Sequence, residues 1–165
     1  MIKGLHHNAY RCRDSEETRK FYEGFLGLPL VQAFEIKETK SGRRTRTLHS
    51  FYALDDGSCL AFFEAPDMPF EFKAQHDYDL HIALEVSQQS LKTMFAKGKK
   101  AGVETRGISD HGFIDSIYFR DPNGYVIELT AKRPGHDDAM DPKKNRARER
   151  LDAWQNSKSV LEEAT

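Results

Sequence analysis

Glu128 is the residue out of place in this chain. It sits within Tyr125-Val126-Ile127-Glu128-Leu129, an otherwise apolar run, where an unpaired carboxylate is expensive. Either it turns to solvent or pairs with an arginine, or it serves as a metal ligand or general base. Two histidines bear on the choice. His7 opens His7-Asn8-Ala9-Tyr10-Arg11-Cys12, and His81 opens His81-Ile82-Ala83-Leu84-Glu85-Val86. Imidazoles and carboxylates in one cavity make a site for Fe(II), Mn(II), Ni(II) or Zn(II).

For those side chains to meet, the chain must bring distant stretches together, and its pattern says how. Leu5 to Cys12 alternates as a strand does. Asp14 can cap a helix over 15–26, with Glu17 as capping-box partner and Gly27 as its stop. Strands follow over 29–38, 45–54 and 58–65, separated by the Arg-rich hairpin loop 40–44 and the turn Asp55-Asp56-Gly57. Residues 66–78, rich in proline and aromatics, read as a linker. The order then repeats: strand 79–86, a helix capped by Ser87 and closed by Gly102, and strands 103–108, 113–119 and 124–130. Asp121-Pro122-Asn123-Gly124 is the turn of the last hairpin.

The chain thus predicts two β-α-β-β-β modules, and with them an α+β fold. Laying His7 on His81 brings Gly27-Leu28 over Gly102-Val103 and Phe63-Glu64 over Ile127-Glu128. The His-to-Glu separation is 57 residues in the first module and 47 in the second, a difference the longer first hairpin absorbs. Strand residues alternate faces, so His7, Ala9 and Arg11 share one face, as do His81, Ala83 and Glu85. If the two sheets form one curved surface, His7, Glu64, His81 and Glu128 converge as metal ligands. His6 competes with His7, but only the His7 register sets Tyr10 and Cys12 opposite Leu84 and Val86.

Composition excludes several classes. A net charge of −1 provides no basic field for nucleic acid, and no apolar run approaches a membrane span. Two cysteines, Cys12 and Cys59, do not make a disulfide framework. The expectation is a cytoplasmic protein. Beyond residue 132 the character changes. Asp141-Pro142 can start a helix, and residues 133–165 form a charged helical tail with a narrow apolar stripe of Ala147, Leu151, Trp154 and Leu161. Exposed sheet edges and an open face predict a homodimer, with the tail extending the contact.

Paired modules with a His on each first strand and a Glu on each last strand resemble the vicinal oxygen chelate superfamily, which includes glyoxalase I, extradiol ring-cleaving dioxygenases and fosfomycin- and bleomycin-resistance proteins. The resemblance covers residues 1–132: module one 1–65, linker 66–78, module two 79–132. It implies an incomplete barrel around a divalent metal and a small-molecule substrate with two adjacent oxygens. Four ligands (His7, Glu64, His81 and Glu128) look like glyoxalase I. The stretch from His111 through Tyr118 to Glu128 is similar to the extradiol dioxygenase signature, departing from it at Ser109. That likeness implies an Fe(II) triad of His7, His81 and Glu128, with His111 and Tyr118 as acid–base groups. The expected activity is an extradiol-type dioxygenase. The alternatives are a glyoxalase-type lyase or isomerase and a non-catalytic drug-binding protein.

Overall fold

The computed structural model describes residues 1–72 and 76–162, with side chains in the last helix described as far as residue 158. Among them, eight strands form two four-stranded sheets. The first contains β1 (His7–Arg11), β2 (Leu30–Glu38), β3 (Arg44–Ala53) and β4 (Cys59–Glu64) in the order β1-β4-β3-β2, with β1 parallel to β4 and the other pairs antiparallel. The second contains β5 (Ile82–Glu85), β6 (Thr105–Asp110), β7 (Ile114–Arg120) and β8 (Val126–Lys132) in the order β5-β8-β7-β6. Helix α1 (Ser15–Arg19) continues as a π-helical stretch, Lys20–Leu26, and α2 spans Gln88–Ala101. Both halves therefore have the expected β-α-β-β-β order. By contact density the chain divides into two units, Met1–Ile82 with Arg120–Ile127 and Ala83–Phe119 with Glu128–Thr165.

In the first unit, the helix-side face of the sheet supplies Tyr52, Leu60 and Phe62, all buried under Tyr22. The Tyr22 ring lies 4.6 Å from that of Phe62 and 5.6 Å from that of Tyr52. Asp14 caps α1 as expected, accepting from the Glu17 N–H at 2.8 Å, but the Glu17 carboxylate goes to Arg13 rather than closing a capping box. A second carboxylate serves the same helix end: Glu64 Oε2 accepts from the Ser15 N–H at 2.7 Å. The strand expected from Asp79 begins only at Ile82, because residues 77–79 form a turn and the His81 ring hydrogen-bonds back to the Asp77 carbonyl at 2.7 Å.

The turn after β7 does more than reverse the chain. Asp121, 5% exposed, accepts from the Tyr22 hydroxyl (3.0 Å), the Asn123 side-chain and backbone N–H (3.0 and 2.9 Å) and the Tyr125 N–H (2.7 Å). Asn123 in turn donates to Thr18 and accepts from the Arg13 N–H. Proline and glycine make this turn, while the buried carboxylate and amide tie it to α1.

In the second unit, Leu91 of α2 is buried, as are Ile117, Phe119, Leu129 and Ala131 of the sheet. Gly98 permits the approach of helix to sheet: a Cβ there would meet Thr105 Oγ1 at 2.4 Å and the Phe119 ring at 2.5 Å. The tail forms α3 (His136–Met140), α4 (Pro142–Asn145) and α5 (Ala147–Glu162). Asp141 caps α4, whose first turn holds Pro142. Leu151 and Trp154 of the expected stripe are 50% and 62% exposed; the Leu161 side chain lies outside the described residues. No described helix is long and apolar enough to cross a membrane.

Tyr22→Phe removes one donor from a buried carboxylate while keeping the ring. It should lower stability by roughly 1.5–3 kcal/mol, read as a fall in the urea midpoint at unchanged slope. An unchanged midpoint would show that the Tyr22–Asp121 bond contributes nothing.

Candidate active site

Alternation along the strands decides which candidate side chains share a face. On β1, His7, Ala9 and Arg11 lie on the open face of the first sheet, away from α1. Register places His7 beside Cys59 and Arg11 beside Phe63, and places Phe63 beside His49. The same face has an aromatic row: the His49 ring stacks on Phe63 at 3.7 Å and meets Phe51 at 4.2 Å, and His7 lies 5.3 Å from Phe51. His49 is a histidine of this face that the repeat did not flag, since its strand carries no matching residue in the second module.

Glu64 is one step out of phase with Phe63, which puts it on the helix side, where it caps α1. The backbone bonding also corrects the superposition of the repeats. Cys12 N–H donates to the Phe63 carbonyl and Val86 N–H to the Thr130 carbonyl. Aligning those bonds sets Phe63 against Thr130 and therefore Ala61, not Glu64, against Glu128. The two hairpin turns agree: Leu54 bonds to Ser58 where Asp121 bonds to Tyr125. Spacing alone could not show a three-residue shift absorbed in loops of different length.

In the second unit Glu128 is 5% exposed and lies on the open face, opposite in phase to Ile127 and Leu129. The hairpin pairs it across from Tyr118, and Tyr118 pairs with Arg106 on β6. Burial raises the Tyr118 pKa above the ordinary phenol value, and the negative charge of Glu128 raises it further. His111 Nε2 stands 2.9 Å from the Tyr118 hydroxyl, and the Arg106 guanidinium lies 5.4 Å from the centre of the Tyr118 ring. The loop carrying His111 is pinned by Arg133, which pairs with Asp110 and with Asp115. His111, Tyr118 and Glu128 therefore form one polar chain on one face.

The histidines expected to bind metal are exposed. His81 Nδ1 lies 2.7 Å from the Asp77 carbonyl, which fixes the tautomer with Nε2 as the lone-pair atom, a common arrangement in metal-binding histidines. His7 Nδ1 is 2.7 Å from His6 Nδ1, so the two rings share one proton-bearing contact. Among the described residues, no three His, Cys, Asp or Glu side chains gather closely enough to hold a metal. The structure thus joins Glu128 to Tyr118 and His111, and sets Glu64 apart as a helix cap. The donor types, two imidazoles and a buried carboxylate, suit a divalent first-row metal.

The model of the Glyoxalase/Bleomycin resistance protein/Dioxygenase superfamily matches residues 4–129. The metallothiol transferase FosB of Bacillus licheniformis is 31% identical over 130 residues, covering 78% of this chain and 75% of that protein. MhqA, a candidate ring-cleaving dioxygenase of Bacillus subtilis, is 28% identical over 138 residues, covering 81% of this chain and 42% of that one. The crystal structure of the fosfomycin resistance protein FosX of Listeria monocytogenes, in complex with Mn(II) and sulfate, superposes with a TM-score of 0.62 at 20% identity, over 83% of this chain and 98% of that one. With its two β-α-β-β-β sheets and a family match over most of its length, the chain belongs to the glyoxalase/bleomycin resistance protein/dioxygenase superfamily, the vicinal oxygen chelate superfamily.

Proposed function

We propose that the protein is a metal-dependent, extradiol-type dioxygenase that opens the ring of a catechol-like substrate, with His7, His81 and Glu128 as ligands of Fe(II). Mn(II), Ni(II) and Zn(II) are the alternative metals. The observation that carries the reading is the polar chain from His111 through Tyr118 to Glu128. A bound metal would act as a Lewis acid toward two adjacent substrate oxygens and keep positions open beside them. Tyr118, its pKa raised by burial and by Glu128, stays protonated at neutral pH and is a hydrogen-bond donor to a substrate oxygen. His111, at 2.9 Å, can take up or return a proton through that hydroxyl. A four-ligand, glyoxalase-type set draws less support, because Glu64 is engaged at the α1 N-terminus.

One comparison favours a second reading. The 31% identity to FosB supports a metal-dependent thiol transferase built on the same three ligands. The unbridged cysteines, Cys12 buried and Cys59 half-buried, suit a reducing compartment such as the cytoplasm.

Iron-loaded protein in an oxygen electrode, offered a panel of catechols, should consume oxygen. Tyr118→Phe and His111→Ala should each retain iron and lose about 10²–10⁴-fold in turnover. No oxygen uptake on any catechol, alongside metal-dependent loss of free thiol in the presence of an electrophile, would replace the first reading by the second.

We propose also that the protein is a homodimer, in which a second copy covers the open face that exposes Phe34 (44%) beside Phe51 and His49. Light scattering at micromolar concentration should return the mass of two chains; the mass of one would contradict it.

A further inference from the structure

We infer that the cavity in the first unit, about 370 Å³ and lined by Ala9, Arg11, Phe70, Phe72, Leu80 and Tyr125, binds a neutral aromatic ring that carries a hydrogen-bond acceptor. Its size is that of a small-molecule site. Its walls are fixed rather than incidental. The Phe72 ring lies on the bare backbone of Gly124, where a Cβ would come within 2.8 Å of it, and φ at that glycine is +96°. Tyr125 is held by its hydroxyl, which donates to the Arg11 carbonyl at 2.9 Å, and its ring meets those of Tyr10 at 5.2 Å and Phe72 at 5.9 Å. Rings packed on one another in this way present a rigid aromatic wall against which a ligand ring can stack or pack edge-on.

The polar content selects the ligand further. Arg11 Nη2 donates to the Met68 carbonyl at 2.8 Å, which fixes the guanidinium, while its Nε–H is buried with no acceptor among the described residues. A buried donor without a partner is costly, and a ligand oxygen would supply one. Glu71 also lines the cavity, so the charges offset and a neutral group fits better than an ion. Ala9 shares a strand face with His7, and Leu80 directly precedes His81. The bound ring is therefore the non-reacting arm of the substrate, a role that rests on the proposed metal-dependent activity, whereas the binding itself does not.

The test uses metal-free, full-length protein and two probes that cannot chelate: para-ethylphenol, with one hydroxyl, and para-ethyltoluene, with none. Titration followed by NMR should show saturable binding of para-ethylphenol. Ala9→Trp, which fills the cavity, should weaken it more than about tenfold, and Leu80→Trp serves if the first variant fails to fold. Arg11→Met should weaken para-ethylphenol about fivefold, the worth of one net hydrogen bond, and leave para-ethyltoluene unchanged. No saturable binding to the wild type, or full binding to a folded cavity-filled variant, would overturn the inference; equal losses for both probes in Arg11→Met would overturn the part given to Arg11. Binding without oxygen uptake would count against the dioxygenase alone, and oxygen uptake without binding against the cavity alone.

Discussion

A buried carboxylate has to be surrounded by donors, and the fold of the first unit is arranged around one. Asp121 is 5% exposed, and four donors point at it from Tyr22, Asn123 and Tyr125. Burial raises its pKa, and the hydrogen bonds pull the other way. Any shift of the turn relative to α1 would strip donors from a group that water no longer reaches, at a cost of several kcal/mol for a charge left unpaired. The turn is thus held on the helix. It lies at the loop between β7 and β8, the two strands that present Tyr118 and Glu128.

Period-two alternation is the second constraint, and it sorts the acidic residues. Glu64 and Glu128 both stand on the last strand of a module, Glu64 as its final residue and Glu128 as its third. One step along a strand changes the face, and with it the role. Glu64 on the helix side caps α1. Glu128 on the open side faces Tyr118, in a sheet whose opposite face buries Ile117, Phe119, Leu129 and Ala131. There its charge acts on the Tyr118 phenol, whose hydroxyl the His111 ring meets at 2.9 Å.

Much of this was legible in the sequence. The duplicated order of elements, the helix caps at Asp14 and Ser87, the glycine stops at Gly27 and Gly102 and the hairpin at Asp121–Gly124 all follow from local propensity and turn chemistry, and the structure has each of them. The contact between His111 and Tyr118 was not legible there: register pairs Tyr118 with Arg106, and His111 lies in the loop beyond the paired strand. What the sequence hid was register. The match of Phe63-Glu64 to Ile127-Glu128 looked sound by spacing, but loops of unequal length shifted it by three residues, and only backbone bonding reveals that. The second task of Asp121 and Asn123 was hidden for a similar reason: a residue type that makes a good turn gives no sign that its side chain also reaches a helix a hundred residues away.

The central claim is that His7, His81 and Glu128 together hold a metal while Glu64 does not. It is tested most directly by metal content per chain in protein purified anaerobically and loaded with Fe(II). The account predicts one metal per chain in the wild type and in Glu64→Gln, and a large loss in His7→Ala, His81→Ala and Glu128→Ala. Full metal content in the His7→Ala and His81→Ala variants, or its loss in Glu64→Gln, would contradict it.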